Sequence, residues 1–127
     1  MSYRLVVEEV ERLIKGSEQR VREQIIHLYG DRGKRALRLV DRGRVLMVLT
    51  GDNDVLWIVK GRRADYLVIP RIFCSCNGYI YGVSRGLPRP CYHLIAQAFA
   101  EKFGLYRVVE FEEPASRIIK KYLWRKV

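Results

Sequence analysis

Charge-free apolar runs, side-chain amides and cysteines are all scarce in this chain of 127 residues. No stretch is long and apolar enough to cross a bilayer, so no membrane association is expected. Near the start, Glu8, Glu9 and Glu11 fall where a secretory leader would need an unbroken apolar segment, which points to the cytoplasm or another reducing compartment. Glycines in a fixed frame before Lys and Ser or Thr are missing, which excludes a phosphate-cradling loop and with it ordinary nucleotide hydrolysis. Asn and Gln together number only five, against abundant Arg, Val, Ile and Tyr, a bias found in thermophilic proteins. Internal repeats, low-complexity tracts and linkers are also lacking, so residues 1–127 read as one domain of modest core.

Positive charge is present in excess: 24 Lys and Arg stand against 14 Asp and Glu. Eight of the ten excess charges fall between Asp31 and Arg107. A nucleic acid or an acidic protein surface is the natural partner of such a field, although solubility and heat adaptation enrich charge without any ligand.

Apolar residues at Tyr3, Val6, Val10, Leu13, Val21, Ile25 and Leu28 recur with a helical period, so residues 1–30 form an N-terminal helical region. Gly16-Ser17 interrupts the pattern without shifting its phase, which fits one helix with a weak point or two helices with Ser17 as a cap. Uncovered, this stripe would call for a partner or a second copy of the chain; packing within the monomer is the other reading. Gly30 and Gly33 mark a turn, and Ala36, Leu37, Leu39 and Val40 a short basic helix ending near Gly43. Three β-rich runs follow, Arg44–Thr50, Val55–Lys60 and Asp65–Phe73, separated by turn chemistry as in an antiparallel meander. Pro90-Cys91 opens a helix that runs to about Phe103 and stops at Gly104. A last helix over 114–125 presents Ile118, Ile119, Tyr122 and Leu123, with Lys120, Lys121, Arg125 and Lys126 near its C-terminal end. The expected fold class is α+β: a small three-stranded antiparallel sheet flanked by N-terminal and C-terminal helices.

The few cysteines are concentrated. Cys74, Cys76, Cys91 and His93 spell C-x-C, fourteen residues, then C-x-H. Tetrahedral zinc takes four ligands of this kind, and three cysteines with one histidine is a recognised structural set. A Cys74–Cys76 disulfide would close a very tight ring and strand a third thiol, and a Cys91–His93 nucleophilic pair would leave the other two thiols without a role. Mid-helix, residues two apart point to nearly opposite sides, so Cys91 and His93 can share one ion only if Cys91 caps the helix. The third strand is expected to run directly into Cys74, with Cys74-Ser75-Cys76 as a knuckle. One zinc ion would then fasten strand to helix. Three thiolates on a divalent ion leave about −1 of charge, which Arg71, Arg85 and Arg89 are near enough in sequence to offset.

C-x-C, a spacer and C-x-H, after a hairpin and before a helix, resemble the SWIM zinc finger. The resemblance covers about Arg35–Phe103, including Gly43-Arg44-Val45, Tyr66-Leu67-Val68 and the run from Cys91 to Ala100. Ala96 completes C-x-H-x-x-A, the form found in the small SWIM proteins of the Shu complex, which partner RecA-family recombinase paralogs in homologous recombination. The resemblance implies a ββα zinc-binding core over 35–103, a non-enzymatic role, and a recombinase paralog as partner. A small residue at Ala96 lets the helix lie close to the hairpin.

Between the ligand pairs, residues 77–89 set Tyr79 and Tyr81 among glycines close to Arg85 and Arg89. With Arg62 and Arg63 they form a set suited to stacking bases and touching phosphate, the basis of an alternative reading as a stand-alone nucleic-acid binder. The tyrosines would equally serve as apolar cover over the zinc. Asp52 and Asp54 fit turn chemistry, and His27 a helix end.

Overall fold

The computed structural model describes the backbone of residues 2–86 and 89–124 and the side chains of residues 6–86 and 89–123. The expectations for Tyr3 as a stripe member and for Arg125 and Lys126 lie outside the described side chains, as do Leu87 and Pro88 in the spacer. Among the described residues the chain is α+β, with six helices and five strands.

The N-terminal stripe forms two helices, α1 (Ser2–Leu13) and α2 (Glu18–Tyr29). Ser17 decides between the readings: its hydroxyl accepts the Arg20 N–H at 3.3 Å, so it caps α2 and ends the continuity. Val6, Val10, Leu13, Val21 and Ile25 are all buried, so the stripe is covered by the chain itself. Leu28, its expected last member, is 56% exposed.

Gly30, at φ 56°, closes α2 and opens α3 (Asp31–Asp41). Gly33 is no turn residue, contrary to the sequence expectation: it lies inside α3 and is buried. A Cβ there would stand 2.4 Å from the Ile25 carbonyl oxygen, so glycine is what lets α3 press onto α2.

The sheet is larger than the expected three strands and is mixed. It comprises β1 (Val45–Leu49), β2 (Val55–Lys60), β3 (Asp65–Ile69), β4 (Phe73–Cys74) and β5 (Arg107–Glu110), in the order β4-β3-β2-β1-β5. β1, β2 and β3 form the expected meander, with Val45 opposite Val59 and Trp57 opposite Val68. The third run does not reach Cys74 unbroken. It turns back after Ile69, with Arg71 at φ 66°, and β4 returns antiparallel with Cys74 opposite Val68. Arg71 holds that turn to the helices by ion pairs to Glu11 at 2.7 Å and Glu101 at 2.8 Å. β5 pairs parallel with β1, Leu46 opposite Arg107, after α5 (Tyr92–Phe103) has crossed the sheet.

Alternation along the strands builds two cores. Val45, Trp57, Val59 and Val68 face the main core with α1, α2, α3 and α5. Val48 and Ile58 face the opposite way and meet Ile118 of α6 (Ala115–Trp124). The residues between Cys76 and Arg85, expected as a loop, form the short helix α4 (Asn77–Ser84).

Candidate metal centre

Each donor sits where local structure aims it inward. Cys74 ends β4; Cys76 is the N-cap of α4 at φ −73°, ψ 152°; Cys91 is the N-cap of α5 at φ −76°, ψ 166°; His93 lies one residue into α5. Extended backbone at a cap lets a side chain fold back over its own helix start, which is how Cys91 and His93 share one point in space despite standing two apart. The cap placement expected for Cys91 is therefore found. Ser75 fixes the knuckle: its N–H donates to the Leu67 carbonyl at 3.0 Å and its hydroxyl accepts the Leu67 N–H at 3.0 Å.

The four ligand atoms all lie within 4.8 Å of one another, and all four residues are buried. A tetrahedral ion with metal–sulfur bonds of about 2.3 Å spaces its ligands about 3.8 Å apart, so the set fits one ion. His93 carries the independent sign. Both ring nitrogens are buried and neither has a hydrogen-bond partner, a costly state for a group that a bound ion would satisfy through one nitrogen. The imidazole is clamped between Tyr66, at 4.5 Å between ring centres, and Tyr92, at 4.2 Å. All three thiols are free of disulfides. The group is thus positioned to bind a metal ion.

The thiols are not equivalent. The Cys76 thiol is held well below its ordinary range, first by hydrogen bonding from Cys74 and then from Cys91, with the Tyr79 N–H also directed at its sulfur at 3.3 Å. The Cys74 thiol is pushed up, first by hydrogen bonding to Cys76, then to Cys91, and by burial. Burial pushes Cys91 up to about 12. The three thiols titrate as one coupled set, and an incoming cation supplies the positive charge that buried thiolates need.

The arginines expected to offset the site divide. Arg71 is engaged with Glu11 and Glu101, and Arg85 lies over the Tyr81 ring at 5.2 Å with a hydrogen bond to its hydroxyl at 3.2 Å. Arg89 lines a space of about 500 Å³ beside Cys76, Cys91 and His93. Arg32 of α3 lines it too and donates to the Pro90 carbonyl at 3.0 Å, fixing the approach to Cys91. Sequence reading missed Arg32, which is 58 residues away from Pro90 and carries no local signal.

Tyr79 and Tyr81 also part. Tyr79 is 2% exposed, edge-on to Phe73 at 6.0 Å, with its hydroxyl bonded to the Ile72 carbonyl. It covers the cysteines and is out of reach of a base, which corrects its place among the contact residues. Tyr81 is 62% exposed. Arg62 and Arg63 are exposed in the β2–β3 turn, and Ala96 is fully buried in α5 within the main core.

No family model, no curated protein and no solved structure matches the chain. Among the described residues no helix is long and apolar enough to cross a membrane.

Proposed function

We propose that the chain is a non-enzymatic adaptor stapled by one structural zinc ion, and that it associates with a RecA-family recombinase paralog in homologous recombination and DNA repair. The observation that carries the reading is the convergence of Cys74, Cys76, Cys91 and His93 at a strand–helix junction, in the ligand order of the SWIM finger. Thiolates and imidazole at tetrahedral spacing favour zinc over harder ions. Four protein ligands fill that coordination and leave no position for a reacting water, the mark of a structural site. The ion's work is mechanical: it locks β4, α4 and the start of α5 into one rigid unit. Ala96, buried one turn beyond His93, suits the close seating of α5 that the resemblance implies. A protein partner is supported by Val55, Ile69 and Leu123, apolar side chains about half exposed along a groove beside α6.

The test couples metal analysis to co-purification from the native host. Wild-type chain is expected to carry one zinc and to bring down a RecA-family ATPase. Cys74→Ser, Cys91→Ser and His93→Ala are each expected to lose metal and stability together. A full metal complement in the His93 variant would remove His93 from the ligand set, and repeated recovery of the metal-loaded chain without such an ATPase would refute the partner.

A further inference from the structure

Most cations that the fold brings near a carboxylate are used there: Arg22 pairs with Asp41 at 2.7 Å, Arg71 with Glu11 and Glu101, and Lys121 with Glu113 at 2.8 Å. One group is not. Arg35, Arg38 and Arg42 stand at i, i+3 and i+7 along α3 and its C-cap, so they share one face of the helix. Across from them, Arg44 leads into β1, Lys60 ends β2 and Arg62 follows it. The six line one open groove of about 510 Å³, with Leu39 and Tyr92 at its walls and no carboxylate lining it. All six are exposed, and among the described residues none forms an ion pair with a carboxylate. Asp41, on the same helix, is turned to Arg22. Asp65, opposite Lys60 in the sheet register, does not line the groove.

We infer that this groove binds the sugar-phosphate backbone of a nucleic acid. Six like charges gathered without a counter-charge repel one another, and a polyanion relieves that repulsion. Five of the six are arginines, whose forked guanidinium groups match phosphate oxygens two at a time. The α3 row from Arg35 to Arg42 covers about 10 Å at 1.5 Å per residue, the length of about three phosphates of one strand at 3.4 Å each. Double-stranded DNA supplies a charge every 1.7 Å or so, whereas an extended peptide would need an acid at every residue to approach one per 3.3 Å. The groove is open and its six cations are all exposed, so an extended ligand fits it better than free phosphate. Tyr92, its ring tilted against that of His93 at 4.2 Å between centres, is part of the wall, which ties the groove's shape to the metal centre. The inference goes beyond the partner reading and is independent of it, because the purified chain alone suffices for its test.

The metal-loaded full chain is titrated into a labelled DNA strand of about 20 nucleotides, and into its duplex, across about 50–300 mM salt. Six phosphate contacts give log–log salt slopes of about −4 for the single strand or about −5 for the duplex. Arg38→Gln with Arg42→Gln removes two contacts. At about 0.1 M salt it is expected to weaken binding about 25-fold for the strand or about 60-fold for the duplex, and to flatten the slope by between about 1.4 and 1.8. Arg44→Gln with Lys60→Gln, on the opposite wall, is expected to do the same. Arg12→Gln with Arg117→Gln, off the groove, is expected to leave binding near wild type, with all variants matching wild type in melting and metal content. No binding to either probe at low salt, wild-type binding by both groove variants, or equal displacement by polyglutamate at matched charge would each overturn the inference.

Discussion

Stripping the metal with a chelator should open one corner of the molecule and leave the rest folded. Without an ion, the ligating nitrogen of His93 loses the partner that the metal would supply. Such a group costs about 1–3 kcal/mol, which penalises the closed metal-free state by that much. A domain of this length is stable by roughly 0.05–0.15 kcal/mol per residue, or on the order of 6–19 kcal/mol in all. The penalty is a fraction of that total, and although Cys74, Cys76 and Cys91 belong to the main core, most of that core is apolar side chains such as Val21, Ile25, Leu37, Leu94 and Phe99 that hold no ion. Relief therefore comes from local opening of β4, α4 and the start of α5. Hydrogen exchange read by mass spectrometry reports this directly. The amides of Leu67, Ser75 and Tyr79, whose bonds depend on the knuckle, should exchange faster by between about 5-fold and about 140-fold, from about 1–3 kcal/mol at about 1.4 kcal/mol per tenfold, once elemental analysis shows the metal gone. Amides of the β1–β2 pairing should be unchanged. Equal protection at the knuckle with and without metal would refute the staple, and simultaneous loss of protection throughout would refute the local character of the opening.

Two further outcomes follow from the packing. Gly33→Ala places a Cβ 2.4 Å from a backbone oxygen of α2, so α2 and α3 must part, and urea denaturation should show a loss of about 1–3 kcal/mol; an unchanged midpoint would contradict the close crossing. Asp52 is held below the usual carboxylate range, first by the Thr50 hydroxyl at 2.6 Å and then by the Ala115 N–H at 3.0 Å, which ties the β1–β2 turn to α6. Its folded value lies below its unfolded value of about 3.9, so its contribution is complete above that pH and is lost as pH falls through the folded value. Asp52→Asn should therefore flatten the decline of stability as pH falls below about 3.9, and parallel declines in the two proteins would exclude the tie.

The donors were legible because their chemistry is in the residue types and their placement in short-range signals: Pro90 ahead of Cys91 marks a helix start, and a cap is the only way for that pair to share an ion. What lay around them depended on contacts between distant segments. β5 is four residues long, and its partner β1 lies about 60 residues earlier, so nothing local distinguishes it from a connection. The turn before β4 hides because Arg71, not glycine, takes the positive φ, held there by Glu11 and Glu101 from two other helices. Gly78 and Gly82 argued for a loop between the ligand pairs, yet Cys76 caps a helix there, and that single change separates the two tyrosines. In a loop Tyr79 and Tyr81 could both face outward. On a helix, residues two apart point about 200° away from each other, so packing Tyr79 over the cysteines obliges Tyr81 to face solvent. The same reasoning explains why the charge excess between Asp31 and Arg107 read only as a diffuse field. Arg35, Arg38 and Arg42 become one wall when α3 is formed, and a groove exists only because the fold sets that wall against Arg44, Lys60 and Arg62 at the ends of two paired strands.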